Sequence, residues 1–326
     1  MTALPMTDER VFALLPGVSR TFAISIAALR GTLADDIATA YLLCRLLDTI
    51  EDDAALSADE RKEVLLTLAG CIDRPGAASA VEACLAGLRD RINATPAEHE
   101  LLHEAGQLFE RIDQMGEMRS GIIRRWAAEM ARGMAEFVSD IPGQRIQTMA
   151  DLGRYCHFVA GTVGGMLTGL FVLCGPGISE RRKRLLEQYM EPFGRGLQMV
   201  NIIKDCGKDW QVGRSFLPRE MAGDERGFLG VNRSMMASLI SGAAEDLDDA
   251  VRYIRALPRR MWRARLFCIY PLVFARKTLQ LLGRDIFSPG QAGAKISRRQ
   301  VKWSMLFSAP AALSNLWLRL VCRRRD

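Results

Sequence analysis

Two groups of carboxylates, far apart in the chain, have the spacing that divalent metal chemistry uses. The first group is Asp48, Glu51 and Asp52, and the second is Asp205 and Asp209. Side chains three or four residues apart project from one face of a helix, so each group is expected to converge. Carboxylates this close repel one another, and Mg²⁺ relieves the repulsion by binding one or two of them together with substrate phosphates. The pattern predicts a magnesium site for a phosphorylated substrate.

Basic side chains accompany both groups. Arg45 precedes the first group by three residues, and Lys204, Lys208 and Arg214 flank the second. Arginine and lysine bind the remaining oxygens of a diphosphate while the metal stabilises the leaving group. A third acidic run, residues 245–249, is predicted to be an ordinary solvated helix face.

The elements that must position these groups are helices. Hydrophobic residues make up 49% of the 326-residue chain and charged residues 25%, which is typical of a globular protein. Strong helix formers are plentiful and long alternating β-branched runs are absent, which favours an all-α fold. A helix is expected from about Asp35 to Asp52, and Ser57 with Glu60 forms the capping-box pattern that opens another. We expect one all-α domain over residues 1–290 and a basic, apolar tail over residues 291–326.

The tail carries the basic excess of the chain. The net charge is +6, and from Lys295 onward there are eight lysines and arginines against a single acid, Asp326. Such asymmetry suggests an anionic partner, either a nucleic acid or a membrane surface. The uncharged, tryptophan- and leucine-rich stretch 303–318 is too short to span a bilayer and suits a segment lying among lipid headgroups. We therefore predict peripheral membrane contact and no nucleic-acid binding, with a plain helix packed on the core as the alternative.

Cysteine usage and the N-terminus both favour the cytoplasm. The eight cysteines include no C-x-x-C pair, so reduced and buried thiols are expected. The first thirty residues lack the basic start and clean apolar stretch of a signal peptide. We expect a cytoplasmic protein at the periphery of a membrane.

Six ordered blocks of sequence resemble the squalene/phytoene synthase family. They are SRTF (19–22), YLLCRLLDTIED (41–52), GMAEF (133–137), YCHFVAGTVG (155–164), QMVNIIKD (198–205) and GRSFLP (213–218). The resemblance implies the all-α isoprenoid-synthase bundle, in which both acidic helices face a central apolar cavity. It also implies a magnesium-dependent prenyltransferase that joins two prenyl diphosphates head to head.

The resemblance gives each matched residue a role. Mg²⁺ would be held by Asp48, Glu51, Asp52, Asp205 and Asp209. Substrate diphosphates would be bound by Arg20, Arg45, Lys204, Arg214, Gln198 and Asn201. The reaction centre would be lined by Tyr41, Arg45 and Tyr155, with Tyr155 the candidate for the proton transfer that closes a cyclopropyl intermediate. Lys208 departs from the family pattern, which usually has a glutamate there, and leaves the number of Mg²⁺ ions open.

Members of this family differ in substrate length and in whether a reduction follows. The block 155–161 looks closer to the squalene-forming version, and the segment 294–298 resembles a basic stretch near the NADPH of such enzymes. The implied reaction joins two farnesyl diphosphates through presqualene diphosphate to squalene, with Lys295 and Arg298 contacting NADPH. Dehydrosqualene or phytoene synthesis and a non-catalytic family member are the alternatives.

Two other patterns have competing interpretations. Glycines recur in the segment 161–169, either to leave room for a prenyl chain or to allow close helix packing, and the two explanations carry equal weight. His99-Glu100-Leu-Leu-His103 matches a zinc-protease pattern, but a third ligand is needed and His157 falls inside a family block. The protease interpretation is therefore disfavoured.

Overall fold

The structure of the chain is a computed structural model. It describes residues 4–141, 145–211, 215–221, 233–285 and 297–322. Within these ranges all regular structure is helical and no strand occurs, which confirms the all-α prediction. The predictions for Arg214 and Lys295 lie outside the described residues, as do those for the side chains of Arg20 and Arg298.

The described α-helices, numbered in chain order, vary widely in length. They are α1 (Asp8–Val18), α2 (Arg20–Ile26), α3 (Thr32–Glu51), α4 (Ala58–Ile72), α5 (Ala78–Ala86), α6 (Pro96–His103), α7 (Ala105–Gln114), α8 (Glu117–Phe137), α9 (Met149–Cys156), α10 (Thr162–Cys174), α11 (Glu180–Gln211), α12 (Arg233–Ala256), α13 (Trp262–Asp285), α14 (Arg298–Leu313) and α15 (Asn315–Val321). A π-helix, His157–Gly161, joins α9 to α10, and short 3₁₀ turns span Arg219–Met221 and Arg259–Met261.

Local capping explains where several helices begin. The Ser57 side chain accepts from the backbone N–H of Glu60, and Glu60 accepts in return from the Ser57 N–H, so the predicted capping box is present. Thr95 and Glu98 form a second box at the start of α6. The helix predicted from Asp35 is α3, which begins three residues earlier at Thr32.

The chain folds into two compact units. The first contains Met1–Asp140 and Gly165–Gly175, and the second contains Ile141–Gly164 and Pro176–Asp326. The predicted division between a domain (1–290) and a tail (291–326) falls in the segment 286–296, outside the described residues, and stays a prediction. Helix α14 packs on α13, and α15 packs on α12 and α14, so the described part of the tail belongs to the second unit.

Helix α3 is the central helix of the first unit. It contacts α1, α4, α6, α7 and α8, and fourteen of its 20 residues are buried. A helix that is apolar on nearly every side belongs in a core. In its second half only Tyr41, Arg45 and Asp48 are not buried, and Asp52 follows as an exposed residue. Offsets of four, seven and eleven residues place these four side chains on one stripe of the helix.

Helix α11 has the corresponding place in the second unit. At 32 residues it is about 48 Å long, and it packs against α9, the π-helix, α12 and α13. A Cβ on Gly164 would lie 2.5 Å from the Met190 carbonyl oxygen, and one on Gly194 would lie 2.3 Å from the Ala160 carbonyl oxygen. Backbone therefore meets backbone along this contact, and only glycine permits the approach.

The glycines of the segment 161–169 consequently serve close packing. A Cβ on Gly161 would reach the Glu191 carboxylate at 2.4 Å. In the first unit, a Cβ on Gly165 would meet the Trp126 ring at 2.4 Å and one on Gly169 would meet Ile122 at 2.9 Å. No glycine of this segment faces open space, so the packing explanation is the correct one.

One helical stretch, Met149–Cys174, is long and apolar enough to cross a membrane, with a mean hydropathy of 1.6. In the second unit its first part packs against α11, and in the first unit its last part lies against α8. A helix in a protein core can be as long and as apolar as this stretch, so these two properties alone are weak evidence for a membrane span.

The acidic run 245–249 is not the simple solvated face that was predicted. Asp246 is buried, and its carboxylate accepts two hydrogen bonds from Arg195, at 2.7 and 2.6 Å. Asp248 pairs with the buried Arg276. Only Glu245 of these residues is fully on the surface. The run joins α12 to α11 and α13, because Asp246 forms an ion pair with Arg195 of α11 and Asp248 forms one with Arg276 of α13.

All eight cysteines are free thiols, as predicted, and six are buried. Burial raises the pKa of the Cys84 thiol to about 11 and that of Cys156 to about 12. These thiols are therefore protonated near neutral pH and behave as small hydrophobes.

Candidate active site

The open stripe of α3 carries the first acidic motif. Asp48 keeps 36% of its side chain exposed, and the Arg45 guanidinium lies 4.0 Å from it. Desolvation of the carboxylate by the helix core around it raises the pKa of Asp48 to about 7. The positive charge of Arg45 opposes this shift, and the negative charge of Asp52 adds to it. The carboxyl group therefore titrates close to neutral pH.

Arg45 is held in place by Glu98. The two side chains form a short, charge-assisted hydrogen bond, and only 9% of the Glu98 side chain is exposed. Burial alone would raise the pKa of Glu98, but hydrogen bonds from Thr95 and from Arg45 outweigh it and lower the pKa. Sequence reasoning missed Glu98, although the Thr95–Glu98 capping pattern marks it as a fixed carboxylate.

Tyr41 closes the N-terminal end of the stripe. Its ring stacks on Phe22 with 5.0 Å between the ring centroids, and its hydroxyl hydrogen-bonds with Ser19. Burial raises the pKa of Tyr41 to about 12, so the phenol stays protonated. The 19–22 block and the 41–52 block of the family pattern are therefore in direct contact.

Glu51 does not share the stripe. Adjacent residues lie about 100° apart around a helix, so Glu51 is turned from Asp52 towards the core, and it is 3% exposed. The neighbouring Asp53 is also buried and accepts backbone hydrogen bonds from Ala55, Leu56 and Asn93. The predicted convergence of three carboxylates thus reduces to Asp48 and Asp52 on the accessible side. Across the described residues, no three Asp, Glu, His or Cys side chains form a group that would hold a metal ion.

In the second unit, two lysines neutralise the leading carboxylate of the second motif. The Asp205 carboxylate accepts from Lys204 Nζ at 3.0 Å and from Lys208 Nζ at 3.1 Å. Lys204 also donates to the Asn201 side-chain oxygen at 3.2 Å. Asp209 lies one turn beyond Asp205 and is partly exposed, so the two acids share a helix face. Lys208, which stands where the family pattern usually has a glutamate, thus places an ammonium group on one side of the Asp205 carboxylate.

Tyr155 lies among the family blocks of the second unit. It is 3% exposed and stacks on Phe216 with 5.2 Å between the ring centroids. The Arg145 guanidinium lies over the Phe216 ring, 5.4 Å from the ring centroid. Tyr155 of the block 155–164 thus contacts Phe216 of the last family block, and the π-helix that follows Tyr155 is a feature common at functional sites.

The predicted site residues are therefore divided between the units. Those of α3 lie in the first unit: Tyr41, Arg45, Asp48, Glu51 and Asp52. Those of α9 and α11 lie in the second: Tyr155, Gln198, Asn201, Lys204, Asp205 and Asp209.

The segment His99–His103, which matches the zinc-protease pattern, contributes to a contact between two helices. Glu100 forms an ion pair with Arg10 at 2.8 Å, and Glu104 binds the same guanidinium at 2.6 Å. The acid that would act as general base in a protease thus joins α6 to α1.

The all-α structure, with an acidic motif beside basic side chains on a helix of each unit, agrees with the isoprenoid-synthase fold class that the sequence resemblance implies. A family model described as squalene/phytoene synthase matches residues 15–306. The chain belongs to the squalene/phytoene synthase family.

Individual relatives agree with this assignment. A squalene synthase of Yarrowia lipolytica is 31% identical over 294 residues, which cover 86% of this chain and 62% of that protein. The chain thus spans less than two thirds of the length of this relative. A solved structure of TcSQS with the ligand BPH1237 has a TM-score of 0.76 at 25% identity, covering 98% of this chain and 92% of that one. A crystal structure of a dehydrosqualene synthase shares the fold at a TM-score of 0.58 and 19% identity.

Proposed function

We propose that this chain joins two molecules of farnesyl diphosphate head to head, through presqualene diphosphate, and reduces the intermediate to squalene with NADPH. The observation that carries the proposal is the accessible stripe of α3. The core covers every other side of this half-helix, and the residues left uncovered are Tyr41, Arg45, Asp48 and Asp52. An open polar stripe on an otherwise buried helix, with the pKa of one of its carboxyl groups raised, is typical of a ligand-binding site.

The carboxylates of both motifs fit magnesium. Mg²⁺ takes one or two carboxylates and completes its octahedron with water and phosphate oxygens, so a ready-made cage of three acids is not required. Asp48 and Asp52 in one unit, and Asp205 and Asp209 in the other, would each supply such a pair. When bound, the metal would neutralise the charge that develops on the departing diphosphate. Glu51 would have to turn out of the core to become a ligand.

The remaining polar residues would bind and orient the substrates. Arg45, held by Glu98, presents a fixed guanidinium beside Asp48 to diphosphate oxygens. Lys204 and Lys208 would exchange part of their contact with Asp205 for the substrate. Gln198 and Asn201 would orient substrate or water on the same helix.

Tyr155 is the proposed group for proton transfer at the cyclopropyl intermediate. Alkylation of the second substrate's double bond leaves a carbocation, and the cyclopropane bond forms as a neighbouring C–H bond gives up its proton; the Tyr155 oxygen would accept that proton. The burial of Tyr155 against Phe216 keeps water, which would trap the cation, away from this position. For the reductive step we keep Lys295 and Arg298 as the proposed NADPH contacts, on the strength of the 294–298 block.

We also infer peripheral contact with a membrane at the cytoplasmic side. Helices α14 and α15 keep their small or apolar residues Ala311, Ala312 and Leu318 in the core. Their opposite side exposes large apolar side chains: Trp303, Leu306, Phe307, Leu313, Leu316 and Leu320. Such a patch is unusual on a protein surface that meets only water.

Product analysis of the purified chain tests the reaction. With Mg²⁺ and farnesyl diphosphate we expect presqualene diphosphate, and with NADPH added we expect squalene, both identified by mass spectrometry. A C40 product from geranylgeranyl diphosphate would overturn the substrate assignment. Dehydrosqualene formed despite NADPH would overturn the reductive step.

Substitution of the two leading aspartates tests the metal assignment. Asp48→Asn and Asp205→Asn should each lower kcat by about 10²–10³-fold or more, because stabilisation of the leaving diphosphate is lost. Asp59→Asn, at an exposed position of α4, is the matched control and should leave turnover unchanged. Near-normal turnover in either site variant would remove that residue from the metal site. Circular dichroism checks that helicity is retained.

A further inference from the structure

A pocket in the second unit is rich in arginine. It has a volume of about 460 Å³, is open to solvent, and is lined by Arg182, Arg255, Arg259, Arg260 and Arg265 together with four uncharged residues. None of the residues that line it is acidic. Five guanidinium groups around one space repel one another unless an anion lies between them.

Arg265 is the buried member of the cluster. It is 0% exposed, and it donates to neutral acceptors, the Leu257 carbonyl at 3.0 Å and the Asn315 side-chain oxygen at 2.7 Å. Its Nε is buried and has no hydrogen-bond partner in the described part of the chain. Burial, followed by Arg259 and the other nearby arginines, lowers the pKa of Arg265 to about 10. Among the described residues no acid forms an ion pair with Arg265, and since a buried cation without a counterion is costly, the pocket favours a negative ligand.

The fold holds other arginines of the pocket in position. Arg182 donates to the Ala256 carbonyl at 2.6 Å, and Arg260 donates to the Pro176 carbonyl at 2.8 Å. Gly177 has φ +69°, and a Cβ there would lie 0.8 Å from Nη2 of Arg260. Glycine is therefore needed at this position both for its backbone and for the arginine side chain beside it. The pocket is preorganised and does not have to assemble around a ligand.

The pocket is remote from the acidic motif of the same unit. Arg182 and Asp205 are 23 residues apart on α11, which corresponds to about 35 Å along the helix. A diphosphate bound near Asp205 cannot reach the arginines.

The surroundings of the pocket indicate the source of the anion. Asn315, which binds Arg265, is the first residue of α15. The same turn of that helix exposes Leu316 at 71% and Trp317 at 40%, and Leu320 follows one turn later at 57%. Guanidinium groups bind phosphate oxygens in pairs, and apolar side chains beside them suit the acyl boundary under a phosphate layer.

We propose that the arginine pocket binds the phosphate group of an anionic phospholipid and so orients the apolar side of α14 and α15 on the bilayer. The proposal deepens the membrane contact inferred above and is independent of the reaction that the acidic motifs perform. It supplies what an apolar patch alone lacks, a preference for anionic lipid and a defined orientation.

Vesicle binding by the full chain tests the proposal. Vesicles of phosphatidylglycerol and phosphatidylcholine in equal parts are compared with phosphatidylcholine alone by co-sedimentation. Wild-type protein should bind the anionic vesicles, and the double variant Arg255→Gln/Arg259→Gln should bind them about tenfold or more weakly. Both arginines are exposed, so the fold should tolerate the change, as thermal unfolding will verify. The charge-matched control is Arg181→Gln/Arg184→Gln, at exposed positions near the start of α11 outside the pocket, which should lose threefold at most.

Three outcomes would overturn the proposal. An equal loss in both double variants would mean diffuse attraction of a basic surface and no pocket. Unchanged binding in Arg255→Gln/Arg259→Gln, with a pocket-dependent calorimetric signal for inorganic pyrophosphate, would assign the pocket to a soluble anion. Absence of wild-type binding to any vesicle would remove the membrane contact as well, while squalene formation in detergent would still decide the proposed reaction separately.

Discussion

At the scale of single residues, the accessible chemistry of α3 depends on which side chains the core leaves uncovered. Asp48 and Glu51 are both carboxylates of one family block, yet the first is partly exposed and the second is buried. Asp53 is buried as well, and its carboxylate accepts hydrogen bonds from the backbone N–H groups of Ala55 and Leu56. Neighbouring acids in one short run therefore have separate tasks, set by their angle around the helix.

The raised pKa of Asp48 predicts a pH-dependent affinity for Mg²⁺. The group is protonated below pH 7 and ionised above it, so protons compete with the metal as the pH falls. Between pH 8 and pH 6 the Kd for Mg²⁺ should rise about tenfold, as measured by titration calorimetry. In Asp48→Asn the dependence should vanish. Equal affinity of the unaltered chain at both pH values would contradict the assignment.

Lys208 predicts a second effect on the metal. Its ammonium group lies 3.1 Å from the Asp205 carboxylate and repels a cation approaching from that side. Lys208→Gln should therefore lower the Mg²⁺ concentration for half-maximal turnover severalfold. Lys183→Gln, near the start of the same helix, should leave it unchanged. A higher Mg²⁺ requirement in Lys208→Gln would show instead that the lysine binds substrate more than it hinders metal.

At the scale of elements, the contact between α11 and the segment after Tyr155 depends on glycine. Gly194→Ala would place its Cβ against the Ala160 carbonyl, and since backbone cannot move aside, it should reduce the free energy of unfolding by about 1–3 kcal/mol. Gly242→Ala on α12 meets nothing within 4 Å and should stabilise the protein by about 1 kcal/mol. Chemical denaturation of both variants measures the difference. Equal effects would mean that helix propensity alone governs these positions.

At the scale of the whole molecule, the described part of the tail is a packed element with an apolar outer side. Leu316→Ser/Leu320→Ser should weaken vesicle binding about tenfold or more, because two exposed leucines leave the bilayer boundary, without lowering the melting temperature. Leu66→Ser, at a 45% exposed position of α4, is the control and should change neither quantity. Unaltered vesicle binding in the double variant would make the outer side of the tail structural.

Sequence alone determined the helical class, the family, the caps at Ser57 and the position of both acidic motifs. These follow from local spacing and from ordered blocks, which need no knowledge of distant contacts. Tertiary structure decided that Glu51 is buried, that Glu98 holds Arg45, that glycines 161–169 serve packing and that five arginines meet in one pocket. Each of these depends on residues brought together from separate stretches of chain, and helical periodicity specifies which face a side chain shares but not what covers that face.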